Sequence, residues 1–233
     1  LVYTTEISTM SLSKSFLREK SKILDIPTIE GISCTHYEDI KYDSEIIIKP
    51  DIQQKGKENV FKVDSKEYFK EAFTMVAKES LNGKVECQKF YPGRDLTLLV
   101  ALSRGEVLWN FFFEELVIIK NGKAIGLGHQ TPVDNISKSL LKKILNTSRK
   151  IFSRGFPTGF FFLSYRLTEL GEFFLYEINP GLCGDGIANE FFKKIWPEFD
   201  FFELDIKLML GEHPCFPEYN SDIKVKNNLK VNF

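Results

Sequence analysis

Glu177, Ile178, Asn179 and Pro180 end an apolar run, and their types and spacing suit chemistry better than any other segment of the chain. The preceding Phe173, Phe174, Leu175 and Tyr176 predict a buried strand, apolar on both faces. Side chains alternate along a strand, so Glu177 and Asn179 share a face two positions apart. A carboxylate at the end of such a strand is costly unless a cation or donors satisfy it. Two oxygen ligands on one face, with Pro180 halting the ladder, suit Mg2+ carried by a nucleotide. Taken alone, the tetrad is more usually a strand end entering a turn. The rest of the chain decides between these readings.

The elements that would position the tetrad are legible on both sides of it. Residues 11–24 predict a helix with Phe16, Leu17, Ile23 and Leu24 as its apolar stripe, followed by the turn Asp25-Ile26-Pro27. A β-branched strand over 45–48 stops at Lys49-Pro50, and a polar loop over 51–59 leads to a second strand over 60–63. Asp64 and Glu67 stand at capping-box spacing before a helix with Phe69, Ala72, Phe73 and Val76 on one side. A strand over 85–90 completes a first α+β unit.

Tyr91-Pro92-Gly93-Arg94 reads as a turn into a second unit. Strands are expected over 95–102, 107–119 and 123–131, with Asn121-Gly122 as a hairpin turn between the last two. A helix over 137–152 ends at Gly155. Strands over 159–167 and 172–179 form a hairpin through 168–171, and helical segments near 187–196 and 201–210 close the fold. The tail from Pro214 is polar, and 224–230 reads as an edge strand or as unstructured chain. The phenylalanine groups at 111–113, 160–162 and 201–202 are most simply core. The expected class is therefore α+β, in two subdomains with a cleft between them. Residues 1–90 form a small subdomain with its lead-in helix, 91–213 a large one, and 214–233 a tail.

Bulk properties agree. The chain has 233 residues, is 43% hydrophobic and carries 22 phenylalanines, which is ample for a core. A net charge of −1, from 31 basic and 32 acidic side chains, argues against a strong sequence-independent hold on nucleic acid. No apolar run approaches the roughly 20 residues that cross a bilayer. Cys34, Cys87, Cys183 and Cys215 are widely separated with no CxxC pair, so neither a metal finger nor a disulfide scaffold is expected, and a cytoplasmic location is.

In order along residues 10–214, the marked positions resemble the ATP-grasp superfamily, specifically its carboxylate–amine ligase branch, related to biotin carboxylase and carbamoyl-phosphate synthetase. That resemblance implies an ATP-grasp fold with ATP held between the subdomains, and places the family's N-terminal domain before Leu1. Lys14, heading the helix that ends in Leu24-Asp25-Ile26-Pro27, and Lys49, in Ile48-Lys49-Pro50, match basic residues of the family. The Lys49 position reaches the ATP phosphates in such proteins, as suits a mobile point charge. Gln88-Lys89-Phe90-Tyr91-Pro92-Gly93-Arg94-Asp95 matches the hinge. There Gln88 would face the adenine amino group, backbone groups of Lys89 and Tyr91 would pair with the adenine edge on either side of Phe90, and Asp95 would accept the ribose hydroxyls. Glu177 and Asn179 match the metal-binding Glu-x-Asn, for Mg2+ with Mn2+ as the alternative.

Three departures accompany the match. The flap over 51–59 has Gly56 as its single glycine, with Lys55 and Lys57 beside it. Ser164, next to Tyr165, stands where relatives carry a further metal ligand. Gly181 stands where many carry arginine, which leaves charge neutralisation to Lys49, Lys14 or Arg166. His129 reads as a substrate contact or a structural residue, and Cys183 and Asp185 as acceptor-pocket residues or part of a glycine turn. The resemblance implies an ATP-dependent ligase that joins a small carboxylate to an amine through an acyl phosphate, releasing ADP and phosphate. It takes no nucleic acid or membrane partner and is compatible with a homodimer. The alternative is a catalytically degenerate ATP-binding or regulatory module on the same fold.

Overall fold

A computed structural model describes residues 4–41, 44–52, 59–153, 155–182, 187–218 and 225–228. In chain order the elements are α1 (Thr5–Leu12), α2 (Lys14–Ile23), β1 (Gly31–Cys34), a 3-10 turn (Tyr37–Asp39), β2 (Ile46–Pro50), β3 (Phe61–Val63), α3 (Lys66–Glu79) and β4 (Val85–Lys89). Then follow β5 (Gly93–Ser103), β6 (Glu106–Lys120), β7 (Lys123–Thr131), α4 (Lys138–Phe152), β8 (Gly159–Thr168) and β9 (Phe173–Pro180). A π-helical turn (Ile187–Phe191), α5 (Phe192–Ile195), α6 (Phe201–Met209) and β10 (Val225–Asn228) complete them. The strands form one sheet in the order β1-β4-β2-β3-β7-β6-β5-β8-β9, with β10 paired to β7. All these strand pairs are antiparallel. The class is α+β, as expected.

The central strands are apolar at successive positions because both of their faces are covered. Leu98, Val100 and Leu102 join Phe161 and Leu163 beneath α1, α2 and α4. Leu99 and Ala101 join Phe111, Phe113, Phe160 and Phe162 beneath the helices of 187–209. The phenylalanine groups are thus core, apart from Phe202, which lies on the exposed side of α6. A separate core sits under α3, where Phe69, Ala72, Phe73 and Val76 meet Ile46, Ile48, Val63 and Val85. β3 pairs with β7 in register at one position, Phe61 with Lys123, flanked by backbone hydrogen bonds from the Lys62 amide to Gly122 and from the Ala124 amide to Val60, so the two halves of the sheet are joined by a narrow seam.

The structure departs from the sequence reading in several places. Residues 11–24 are not one helix: Ser13 is extended, closes α1 and opens α2, its Oγ accepting from the Phe16 amide at 3.2 Å. The buried stripe of α2 is Lys14, Leu17, Arg18 and Ser21, while Ile23 is 68% exposed. Phe16 and Leu24 are half-buried against the large core. Both lead-in helices, grouped with 1–90 from the sequence, bury Ile7, Met10 and Leu17 in the core of the large half instead. Neither α1 nor β1 was legible in the sequence. Among the described residues, no helix is long and apolar enough to cross a membrane. The flap positions Lys55, Gly56 and Lys57, together with Cys183 and Asp185, lie outside the described residues.

The cap of α3 is also displaced by one residue. Ser65, not Asp64, accepts from the Tyr68 amide at 3.3 Å. Ser65→Ala is therefore expected to cost about 1 kcal/mol in denaturant unfolding, whereas Asp64→Ala should stay within about 0.5 kcal/mol.

Candidate functional site

A bulge in β9 aims the tetrad. Ser164 of β8 pairs with Glu177, but the next residue, Tyr165, pairs with Leu175, so Tyr176 is the extra residue on β9. Phe173, Leu175 and Ile178 consequently point into the core beneath α4, and Tyr176, Glu177 and Asn179 line a cleft on the opposite face. Strict alternation from Phe173 would have sent Glu177 into that core. The extra residue resets the phase before the carboxylate, which is how bulges re-aim side chains beside functional clefts.

The cleft encloses about 960 Å3. Its floor is a lattice of cross-strand neighbours: Glu115, Asp95 and Arg166 form one row, and Phe113, Thr97, Ser164 and Glu177 the next. Lys14, Lys49, Gln88, Lys89, Phe90, Tyr91, Asp95, Arg166, Glu177 and Asn179 all line it. The ten residues singled out in the sequence, from β2, β4, the hinge, α2, β8 and β9, thus surround one cavity. Thr97, Glu115 and Tyr176 also line it and had been missed. Cross-strand pairing with Asp95 and Ser164 would have pointed to the first two.

One end of the cleft is cationic. The Lys14 ammonium lies 3.5 Å from the Glu177 carboxylate, and both side chains are largely buried. Lys49 is buried, with its Nζ 5.2 Å from the centre of the Tyr176 ring. Burial, and then the neighbouring Lys14 charge, push the Lys49 ammonium down to about 8, against the pull of Glu177, Glu86 and Asp95. The Tyr176 phenol is pushed up, first by burial and then by Asp95 and Glu177, and it hydrogen-bonds Ser164.

The other end is the hinge. Gly93 opens β5 at φ 153°, and a Cβ there would stand 2.1 Å from the Leu167 carbonyl oxygen, so only glycine lets the strand approach. Gln88 donates its Nε2 to Glu86 at 3.2 Å, and Glu86 is fully buried against Arg18 at 2.7 Å. Arg166, expected beside transferring phosphate, is tied to the hinge instead. Its Nε donates to the Tyr91 carbonyl at 2.7 Å, its Nη1 to Asp95 at 3.0 Å, and it lies 5.6 Å from the Phe90 ring. Tyr91 packs on Phe174 with ring centres 4.6 Å apart.

Among the described residues, no three His, Cys, Asp or Glu side chains cluster as a metal site. The donors at the cationic end are the Glu177 carboxylate and the Asn179 amide, both hard oxygen ligands on the face that the bulge exposes to the cleft. That pair fits a Mg2+ ion that takes its remaining ligands from phosphate and water.

The sequence matches no known protein family and no curated protein. Its structure resembles those of several solved enzymes at low identity. Biotin carboxylase from Campylobacter jejuni, in complex with β-γ-ATP, superposes with a TM-score of 0.72 at 16% identity, covering 93% of this chain and 49% of that one. Phosphoribosylamine–glycine ligase from Thermotoga maritima gives 0.71 at 20% identity, covering 91% and 57%. The biotin carboxylase domain of 2-oxoglutarate carboxylase from Hydrogenobacter thermophilus, a dimer in complex with ADP, magnesium and bicarbonate, gives 0.69 at 14%, covering 89% and 47%. The chain spans about half the length of these proteins. A continuous antiparallel sheet, a cleft between its halves and this shared architecture place the chain in the ATP-grasp fold.

Proposed function

We propose that the chain binds ATP with Mg2+ in this cleft and joins a carboxylate to an amine through an acyl phosphate, releasing ADP and phosphate. The observation that carries this reading is the convergence of Lys14, Lys49, Glu177 and Asn179 at one end of a cavity whose other end is the Gln88–Asp95 hinge. The biotin carboxylase complexes, which hold β-γ-ATP or ADP with magnesium on the same fold, support it.

The geometry divides the labour. At the hinge, Glu86 takes the amide nitrogen of Gln88, which leaves Oε1 as the acceptor for an exocyclic amino group. Arg166 takes the Tyr91 carbonyl, so the Tyr91 amide is the group offered to the base, with the Lys89 carbonyl beside it. Arg166 thus acts as a brace, fixing Asp95 by one oxygen and leaving the other for a ribose hydroxyl. At the far end, Lys49 and Lys14 hold the polyphosphate, and Glu177 and Asn179 would hold Mg2+, which supplies charge neutralisation to the transferring phosphoryl group when bound. The γ-phosphoryl group passes to the substrate carboxylate, the amine attacks the acyl carbon, and phosphate leaves. No protein nucleophile is needed, because positioning and electrostatics suffice.

The lowered Lys49 ammonium gives this reading a pH signature. A polyphosphate favours the protonated amine, so Mg·ATP affinity should be flat below about pH 8 and fall about tenfold per unit above it. Stability runs the other way. The folded amine titrates near 8 and the unfolded one near 10.5, so the cost of burying the charge is present below pH 8 and is relieved as pH rises between those values. Calorimetric titration and thermal melts from pH 7 to 10 read both trends.

The deciding assay follows ADP release with a panel of small carboxylic acids and amines. ADP formation that requires both an acid and an amine supports the ligase. Tight Mg·ATP binding without turnover across the panel favours the regulatory module on the same fold.

A further inference from the structure

Lys14 and Lys49 stand on different halves of the molecule: α2 is packed in the large core, and β2 belongs to the small one. Two buried ammonium groups facing one site repel each other, so something other than mutual attraction must fix their separation. The residue at the junction is Asp51, directly after β2 and only 1% exposed.

Every polar group of Asp51 is engaged. Its Oδ1 accepts from the Ser15 amide at 2.7 Å and from Ser13 Oγ at 3.0 Å. Its Oδ2 accepts from Asn82 Nδ2 at 2.7 Å and lies 3.2 Å from Ser13 Oγ. Its carbonyl accepts from the Lys14 amide at 3.1 Å, and its own amide donates to the Lys84 carbonyl at 3.1 Å. Burial opposes ionisation of this carboxyl, but the Ser15 amide, Asn82, and the Ser15 and Ser13 hydroxyls outweigh burial and hold it below the usual carboxylate range. The carboxylate also sits at the N-terminus of α2, where the helix dipole favours it.

We propose that Asp51 is a positioning residue that holds the Lys14 ammonium opposite Lys49 across the phosphate end of the cleft; this rests on the nucleotide-binding reading of that site. The carboxylate grips the backbone and hydroxyls that flank Lys14 and leaves its ammonium alone. Asp51 thereby fixes the position of both cations without itself pairing with either ammonium; the carboxylate that Lys14 approaches, at 3.5 Å, is Glu177 inside the cleft.

A double-mutant cycle on the full chain tests this, using Mg·ATP affinity by calorimetry and unfolding midpoints for wild type, Asp51→Asn, Lys14→Met and the double variant. The loss of Lys14 alone should weaken binding about tenfold, which keeps the double variant measurable. Asp51→Asn should weaken binding about tenfold in the wild-type background and less than about twofold where Lys14 is already Met. Its effect on the unfolding midpoint should be the same in both backgrounds. If Asp51→Asn does not fold, Ser13→Ala, which removes two of the contacts, takes its place in the cycle. Equal loss of affinity in both backgrounds, or no loss in either, overturns the positioning role while the nucleotide reading stands. A wild-type chain that does not bind Mg·ATP overturns both.

Discussion

Replacing Glu177 with glutamine will slow ATP-dependent ADP release by about 10²–10³-fold, the range observed when one preorganised electrostatic contact to a transition state is removed. The substitution keeps the shape and one carbonyl oxygen, so the bulge at Tyr176 and the pairing with Ser164 should persist. What it removes is the negative charge that Lys14 approaches at 3.5 Å and that Mg2+ would meet beside Asn179. The apparent affinity for Mg2+ should fall with turnover, while ATP affinity in the absence of metal changes little. Steady-state ADP release titrated with Mg2+ reads both. Unchanged turnover in Glu177→Gln would remove this residue from the site.

The largest stability effect is expected at Arg18. Its guanidinium meets Glu86 through Nε at 2.7 Å and Nη2 at 3.2 Å, with the arginine largely buried and the glutamate wholly so. This pair ties α2, which is packed in the large core, to β4 in the small unit. Arg18→Met leaves the Glu86 charge buried and unpaired by any cation, which should cost about 3–5 kcal/mol in denaturant unfolding. Exchanging both partners, as Arg18→Met with Glu86→Leu, should recover most of that loss, because no charge is then stranded. Nucleotide affinity should not recover with it. The Gln88 amide is oriented by donating to Glu86, and without that acceptor its oxygen is no longer directed to one side. A double variant as unstable as the single one would contradict this account of the pair.

Much of the fold could be read in the sequence because its signals are local. The apolar runs of β5, β8 and β9, the Asn121-Gly122 turn and the Phe69–Val76 stripe of α3 each carry a period or a turn that needs no knowledge of the rest of the chain. The misreadings came where a tertiary partner overrides the local pattern. Apolar periodicity cannot find the buried stripe of α2, because three of its four residues are Lys14, Arg18 and Ser21, and the two cations among them are buried against Glu177 and Glu86. The break at Ser13 is invisible for the same reason, since it depends on Asp51, 38 residues away. β1 is four residues long and half-exposed, too short for a periodic signal, and exists as the edge partner of β4.

The site residues were legible as an ordered set, but their engagements were not. Glu177 and Asn179 do share a face, as alternation predicts, but the bulge at Tyr176 turns that face to the cleft, where strict alternation from Phe173 would have turned it to the core. Arg166 lies in the cleft two positions beyond Ser164 on the same strand, yet its guanidinium turns to Asp95 and the Tyr91 carbonyl. A side chain with five donors goes to the nearest acceptors, and only the folded hinge reveals which those are.

Isothermal titration of the wild-type chain with ATP, at saturating Mg2+ and again after chelation, tests the central claim most directly. The account predicts one site per chain, with a dissociation constant somewhere between about 1 μM and 1 mM in the presence of metal and clear weakening once the metal is removed. The absence of binding heat with Mg2+ present, or affinity indifferent to the metal, would contradict it.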